Sequence, residues 1–281
     1  MKLRGKLLRL IMIEKHTNSL SLRFFQNLLK YREICHFVST RSGGFSNPPY
    51  DSLNLGFHVG DNLETVLKNR ERLAVELEVP LSNFTTARQI HGGNVKIITE
   101  DSRGKGAFNY DTAISETDAM VTDTLNICLM VLQADCVPIL FFDPKKRIIG
   151  VVHAGWRGTV QLVAQNTVRV LKRKFNCLTD DILVGIGPSI GPCCYLVGQE
   201  TILQIEKAFD NKREYINNSL GGKGYFNLWE ANKMQLVQMG ISERNIEIAK
   251  VCTRCNHTNF FSYRHQRGET GRFGAGIMLR I

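Results

Sequence analysis

Hydrophobic positions in this chain gather into short continuous apolar runs, with stripes of helical period between some of them. The runs fall at residues 34–40, 127–133, 138–142, 147–153, 182–186, 246–252 and 273–281. Each is five to nine residues long and bounded by turn-forming residues, so each predicts a buried strand. Asp143-Pro144-Lys145-Lys146 predicts a hairpin turn between two of them. Residues 84–99 read as strand, glycine turn, strand, and 225–228 as a further strand, while 19–31 suits an early strand or a short helix. Asp61 with Glu64 three residues on predicts a helix start. Val66, Leu67, Arg70, Leu73, Ala74 and Leu77 follow as its stripe, and Pro80 ends it. A second helix is predicted from Thr159, with Val160, Val163, Ala164, Thr167, Leu171 and Phe175 inward. Lys172, Arg173 and Lys174 suit its C-terminal end. Further helices are expected near 199–209 and 230–239.

Apolar strands alternating in part with helices predict a mixed α/β fold of the α+β kind. Its centre is a mixed sheet or two stacked sheets, flanked by helices. No linker divides the sequence, so residues 34–281 read as a single domain and 1–33 as an N-terminal extension with the first element.

Composition narrows the function. The 281 residues are 43% hydrophobic and 22% charged, ordinary for a soluble globular protein. The net charge of +10 invites a nucleic-acid reading, but Lys and Arg are scattered and lack interleaved aromatics. We therefore expect no nucleic-acid partner, and attraction of a small anionic substrate instead. Eight cysteines without a secretory signal predict reduced thiols in a cytoplasmic protein. The basic, apolar opening of the chain lacks a cleavage site, and Met12 offers an alternative start. No apolar run reaches membrane-spanning length, so no membrane partner is expected.

Three residues carry the candidate chemistry. Cys136 closes one apolar run in Ala134-Asp135-Cys136-Val137-Pro138. His153 closes another, just before Ala154-Gly155-Trp156-Arg157-Gly158, and His91 sits in Gln89-Ile90-His91-Gly92-Gly93. Strand ends followed by structure breakers suit side chains delivered to one rim of a sheet. Two imidazoles and a thiolate suit Zn²⁺, with a fourth position left for water or substrate; Cu²⁺ is compatible with the same donors. The rival reading is a Cys136–His153 nucleophile–base pair. The glycine turn at 155–158 before a helix, with Arg157, reads as an anion site. Arg70 on its helix stripe is either a snorkelling rim residue or a guanidinium aimed at a site. Cys252-x-x-Cys255 and the Cys193-Cys194 pair resemble half-sites for a second metal, but their separation favours free buried thiols.

Further motifs stand at Thr40-Arg41-Ser42-Gly43-Gly44, Ser52-Leu53-Asn54-Leu55-Gly56-Phe57-His58-Val59-Gly60-Asp61, Asn69-Arg70 and Gln89-Ile90-His91-Gly92. Others are Gly187-Pro188-Ser189-Ile190-Gly191-Pro192-Cys193-Cys194-Tyr195, Phe261-Ser262-Tyr263-Arg264 and Thr270-Gly271-Arg272. Together with the Cys136 and His153 motifs, they make the chain resemble the YfiH-type laccase-domain family of multicopper-polyphenol-oxidase-like proteins, read as purine nucleoside phosphorylases. These pieces run in order across residues 40–272. The resemblance implies a YfiH-like fold and a catalytic zinc on His91, Cys136 and His153. It implies a purine nucleoside and inorganic phosphate as partners, with Asn54 and Arg70 near the substrate. Arg41, Arg157 and Arg264 complete the candidate substrate contacts. The implied reactions are phosphorolysis of adenosine, inosine and methylthioadenosine, and deamination of adenosine. Asp135 and Asp118 are the candidate proton carriers. One departure is His265, where the family often has a second arginine; Arg267 is the nearest substitute. The alternatives kept open are a copper phenol oxidase, a metal-free cysteine hydrolase and a non-enzymatic binding protein. A monomer or homodimer is expected.

Overall fold

The computed structural model describes residues 12–16, 20–209 and 215–280, without the side chains of 218–220. The expected extension over residues 1–11 lies outside the described residues, as do Ser19 and Ile281. Two six-stranded mixed sheets stack face to face, the second of the two arrangements the continuous apolar runs allow. The first sheet orders β1 (Ile13–His16), β2 (Ser21–Phe24), β3 (Ile34–Ser39), β15 (Phe273–Leu279), β7 (Cys128–Gln133) and β4 (Phe84–Thr85). The second orders β14 (Ile246–Ile248), β10 (Leu183–Ile186), β8 (Val137–Asp143), β9 (Ile148–Ala154), β6 (Ala119–Thr122) and β5 (Val95–Ile97). Every residue of β7, β8, β9 and β15 is buried, so these strands are covered on both faces. Between the sheets lie Leu129, Val131, Leu140, Phe142, Val151 and Ile277. A small sheet orders β11 (Leu196–Val197), β13 (Lys223–Phe226) and β12 (Ile216–Leu220).

Helices α4 (Val163–Phe175) and α6 (Leu228–Gln238) cover the second sheet, with Val163, Val168, Leu171, Ala231 and Leu236 in that core. Helix α2 (Leu63–Glu76) covers the outer face of the first sheet through Leu73 and Ala74. Two short helices, α1 (Gln26–Leu29) and α3 (Trp156–Val160), and α5 (Gln199–Ala208) complete the described set.

Most expected elements are present, with instructive differences. The 19–31 segment is both a strand and a helix, β2 and α1. Helix α2 is capped by Asn62, which accepts the Thr65 N–H, and not by Asp61. The Asp61 carboxylate is already engaged by Ser46 Oγ at 2.6 Å and Asn54 Nδ2 at 2.9 Å. The helix expected from Thr159 is broken at Leu162, whose φ of 59° separates α3 from α4. The 84–99 segment does not pair with itself, because β4 joins β7 and β5 joins β6 in the other sheet. The last strand of the 246–252 run shortens to β14. No helix among the described residues is long and apolar enough to cross a membrane.

Candidate metal centre and active site

The β8–β9 hairpin builds the site. Its antiparallel register sets Pro138 opposite His153, so Cys136, just before β8, and His153, at the end of β9, share one rim. His91 reaches the same rim from the loop before β5. The three donor atoms lie within 4.8 Å of one another, and the two imidazoles meet edge to face at 4.8 Å between centroids. His91 and Asp135 both hold left-handed backbone, φ 60° and 82°. For residues other than glycine this costs on the order of 1–3 kcal/mol, which the surrounding packing offsets. Gly155 makes the close approach possible: a Cβ there would meet His91 Cδ2 at 2.8 Å and Cys136 Sγ at 3.0 Å.

Asp118, at the mouth of β6, organises both histidines. Its Oδ1 lies 2.9 Å from His153 Nδ1 and accepts the His91 N–H at 2.9 Å. Its Oδ2 accepts the Gly92 N–H at 2.7 Å and the Ile90 N–H at 3.2 Å. Burial by itself would raise the Asp118 pKa, but the His153 ring and these N–H groups hold it below the usual carboxylate range. His153 Nδ1–H thus donates to Asp118, leaving Nε2 as the ligand atom. Burial would also suppress the charges of Cys136 and His153, yet their mutual attraction wins. The thiol is held down by His153 and His91, and the imidazole is held up by Cys136 and Asp118. A thiolate facing two imidazoles in a protein cleft is a donor set that a divalent transition-metal ion accepts, zinc and copper among them.

That cleft is a cavity of about 480 Å³, within the range that holds small organic ligands. Besides the three donors, it is lined by Arg157, Arg264 and Arg272, by Trp156, Tyr195 and Tyr263, and by His58 at its edge. Arg264 lies over the Tyr195 ring and Arg157 over Trp156. Gln89 also lines it, but its amide is locked to both backbone groups of Leu132.

The structure separates the other expected site residues into two groups. Arg157 and Arg264 reach the cavity. Arg70, Asn54 and Arg41 do not. Arg70 is 2% exposed and donates to the carbonyls of Leu55, Gly106 and Ala107 while lying over Phe57, so it braces loops behind the cavity. Asn54 is fully buried. Its amide binds Asp61 and accepts the Gly56 and Arg272 N–H groups, holding Arg272 in place. Arg41 pairs with Asp51 at 3.0 Å and donates to the His257 carbonyl. The anion site expected at 155–158 is also revised. Helix α3 has only five residues, so Arg157 carries whatever anion affinity that turn has. Both carboxylates expected to carry protons are held by neighbours, and Asp135 lines the cavity. Asp135 accepts Thr253 Oγ1 at 2.6 Å and the Arg264 N–H at 2.7 Å, and Asp118 is committed to the histidines. His265 stacks on His257 at 3.7 Å, and neither it nor Arg267 lines the cavity. Sequence reasoning missed Arg272, Tyr195 and Tyr263 as lining residues, although all three stand inside motifs it had singled out.

Comparison with known proteins places this architecture. The family model described as multi-copper polyphenol oxidoreductase laccase matches residues 35–280. The purine nucleoside phosphorylase YlmD of Geobacillus stearothermophilus is 37% identical over 244 residues, covering 86% of this chain and 89% of the relative. A protein named adenosine deaminase RL5, from an unknown prokaryotic organism, is 36% identical, covering 86% and 92%. The crystal structure of YlmD from Geobacillus stearothermophilus superposes with a TM-score of 0.91 at 34% identity, covering 96% of this chain and 99% of that one.

Proposed function

The chain belongs to the multi-copper polyphenol oxidoreductase laccase family, and from that premise we propose that it is a zinc-dependent purine nucleoside phosphorylase that also deaminates adenosine. It is an enzyme of the kind its relatives are named for. The observation that carries the proposal is the convergence of His91, Cys136 and His153 on a cavity that Arg157, Arg264 and Arg272 also enter. Residues 34–281 are the unit to which we assign the activity, with 1–33 as the leading segment.

The cavity lining combines two kinds of group. Leu132, Ile190, Leu228 and the rings of Trp156 and Tyr195 suit the flat face of a purine. The three arginines suit an oxyanion, because guanidinium groups hold phosphate through paired N–H donors. In phosphorolysis a phosphate oxygen bonds to C1′ as the C1′–N9 bond breaks, and the base leaves with the electron pair and takes up a proton. The arginines hold phosphate against C1′ and offset its charge while the sugar carbon becomes cationic. Zinc, when bound, supplies Lewis-acid polarisation of a substrate atom or activates the water that replaces the amino group in deamination. Asp118 keeps the His153 ring and the His91 backbone aimed at that ion. Asp135, Tyr195, Tyr263 and His58 are the titratable groups on the wall outside the ligands and arginines. Inosine, adenosine and methylthioadenosine are the substrates we expect, in a cytoplasmic monomer or homodimer.

Two other readings have an observation behind them. The family description favours copper, which the same donors accept. The thiolate-favouring Cys136–His153 pair favours a cysteine nucleophile. One assay separates all three. Freshly purified protein should contain zinc and yield ribose 1-phosphate from inosine only when phosphate is present. Equal product without phosphate, copper with oxygen uptake on phenols, or full turnover by Cys136→Ala would each overturn the proposal.

A further inference from the structure

The four cysteines set aside as free buried thiols are neither scattered nor all buried. Cys193 and Cys255 are exposed, Cys194 is half-buried and Cys252 is buried, and all four sulfurs lie within 4.8 Å of one another. Strands β10 and β14 are parallel neighbours, Val184 beside Ile246, so the loops leaving their C-terminal ends meet at one sheet edge. One loop brings Cys193 and Cys194, the other Cys252 and Cys255. A bridge between Ser189 and Cys252, with the Thr253 N–H on the Ser189 carbonyl, zips the two loops together.

We propose that Cys193, Cys194, Cys252 and Cys255 hold a single zinc ion as a closed, all-thiolate structural site, separate from the His91–Cys136–His153 centre. The geometry is the first argument. Zinc–sulfur bonds of about 2.3 Å in a tetrahedron place the sulfurs about 3.8 Å apart. The observed separations are 3.7 Å for Cys193–Cys194, 3.6 Å for Cys193–Cys255 and 3.4 Å for Cys194–Cys255. The ligand chemistry is the second. Four soft thiolates with no open position select zinc over hard cations and leave no corner for catalysis. The third is the support around the sulfurs. The Gly191 N–H points at Cys252 Sγ from 3.2 Å, the kind of N–H···S contact that stabilises a ligating thiolate. The Cys194 and Tyr195 N–H groups share the Gly191 carbonyl, and Asn256 donates through backbone and side chain to the Cys252 carbonyl. Both ligand-bearing turns are therefore preset.

The consequence lies in the cavity wall. Tyr195 follows Cys194 directly, and Ile190 precedes the pair; both line the cavity. Thr253 follows Cys252 and holds Asp135, the neighbour of Cys136. An ion across the two loops joins residues about sixty positions apart in sequence and fixes this wall, much as a covalent crosslink would.

The test uses full-length protein and does not depend on the proposed activity. In His91→Ala/Cys136→Ala/His153→Ala, about one zinc per chain should remain, and its X-ray absorption should show four sulfur neighbours at about 2.3 Å. Cys193→Ser/Cys255→Ser, which alters only the two exposed ligands, should lose that all-sulfur signal while the other centre keeps its metal. Cys255→His should keep the zinc, with three sulfur neighbours and one nitrogen, guarding against simple misfolding. A triple variant without zinc, iron in its place, a Cys193–Cys255 disulfide, or rapid alkylation of all four thiols in zinc-loaded protein would each overturn the proposal.

Discussion

The Asp118 carboxylate lies 2.9 Å from His153 Nδ1, in a site where the carboxylate is fully enclosed. That contact decides which nitrogen of His153 faces Cys136, and the same carboxylate carries the backbone of His91. Asp118→Asn keeps the shape but presents an amide whose N–H can face Nδ1–H. Metal affinity should fall by roughly 10- to 100-fold, the usual effect of losing such a partner. A chelator competition titration alongside kcat/KM checks this; unchanged affinity would remove Asp118 from the positioning role.

Arg157 and Arg264 are the two expected substrate contacts that reach the cavity. Arg157 is exposed and rests on Trp156, so its removal should leave the fold intact. Hydrogen bonds to charged groups contribute about 1.5–3 kcal/mol. Arg157→Ala should therefore raise KM for phosphate by roughly tenfold or more, with a smaller change for the nucleoside. Equal effects on both substrates would argue against phosphate at this position.

Arg70 should behave as a brace and not as a catalytic group. Arg70→Met leaves the Leu55 and Ala107 carbonyls without their donor and the Gly106 carbonyl with the Thr86 hydroxyl alone. Each abandoned buried acceptor costs about 1–3 kcal/mol. A loss of about 3 kcal/mol or more in urea unfolding is expected, with kcat of the folded fraction within a few-fold of the parent. A collapse of kcat at unchanged stability would reverse the assignment.

Gly155→Ala tests the close packing of the proposed metal ligands. The new Cβ would press His91 Cδ2 and Cys136 Sγ, and overpacking of this kind costs about 1–3 kcal/mol. Metal content and activity should fall together while the circular dichroism spectrum is retained. Full metal loading would show that the ligands can retreat.

His36 sets a pH limit on stability. It is buried between Phe24 and Phe25, its Nε2 accepts the Phe25 N–H at 2.9 Å, and burial lowers its pKa to about 3. The folded chain refuses a proton that the unfolded chain accepts below about 6.5. Its contribution is therefore complete above pH 6.5 and is lost as pH falls toward 3, at up to about 1.4 kcal/mol per unit. Between pH 6 and 4, His36→Leu should show a shallower fall of the urea midpoint than the parent. Parallel slopes would place the acid sensitivity elsewhere.

Local pattern alone specified the long core strands, most helices and the identity of three metal-site candidates, but not the short strands β1, β11 and β12. Apolar runs report that a strand is covered on both faces, and a Cys or His before a structure breaker reports a strand end; both signals lie within a few residues. The sequence could not say that 84–99 splits between two sheets, because an apolar run does not name its neighbour. Nor could helical spacing show whether Arg70 meets substrate or three carbonyls, since residues 55, 106 and 107 decide that. Asp118 beside His153, and Cys193 beside Cys255, are likewise products of strand pairing across 35 and 62 residues. Hydrogen-bond and metal geometry depend on distances of a few ångströms between distant segments, and only the folded sheets set those distances.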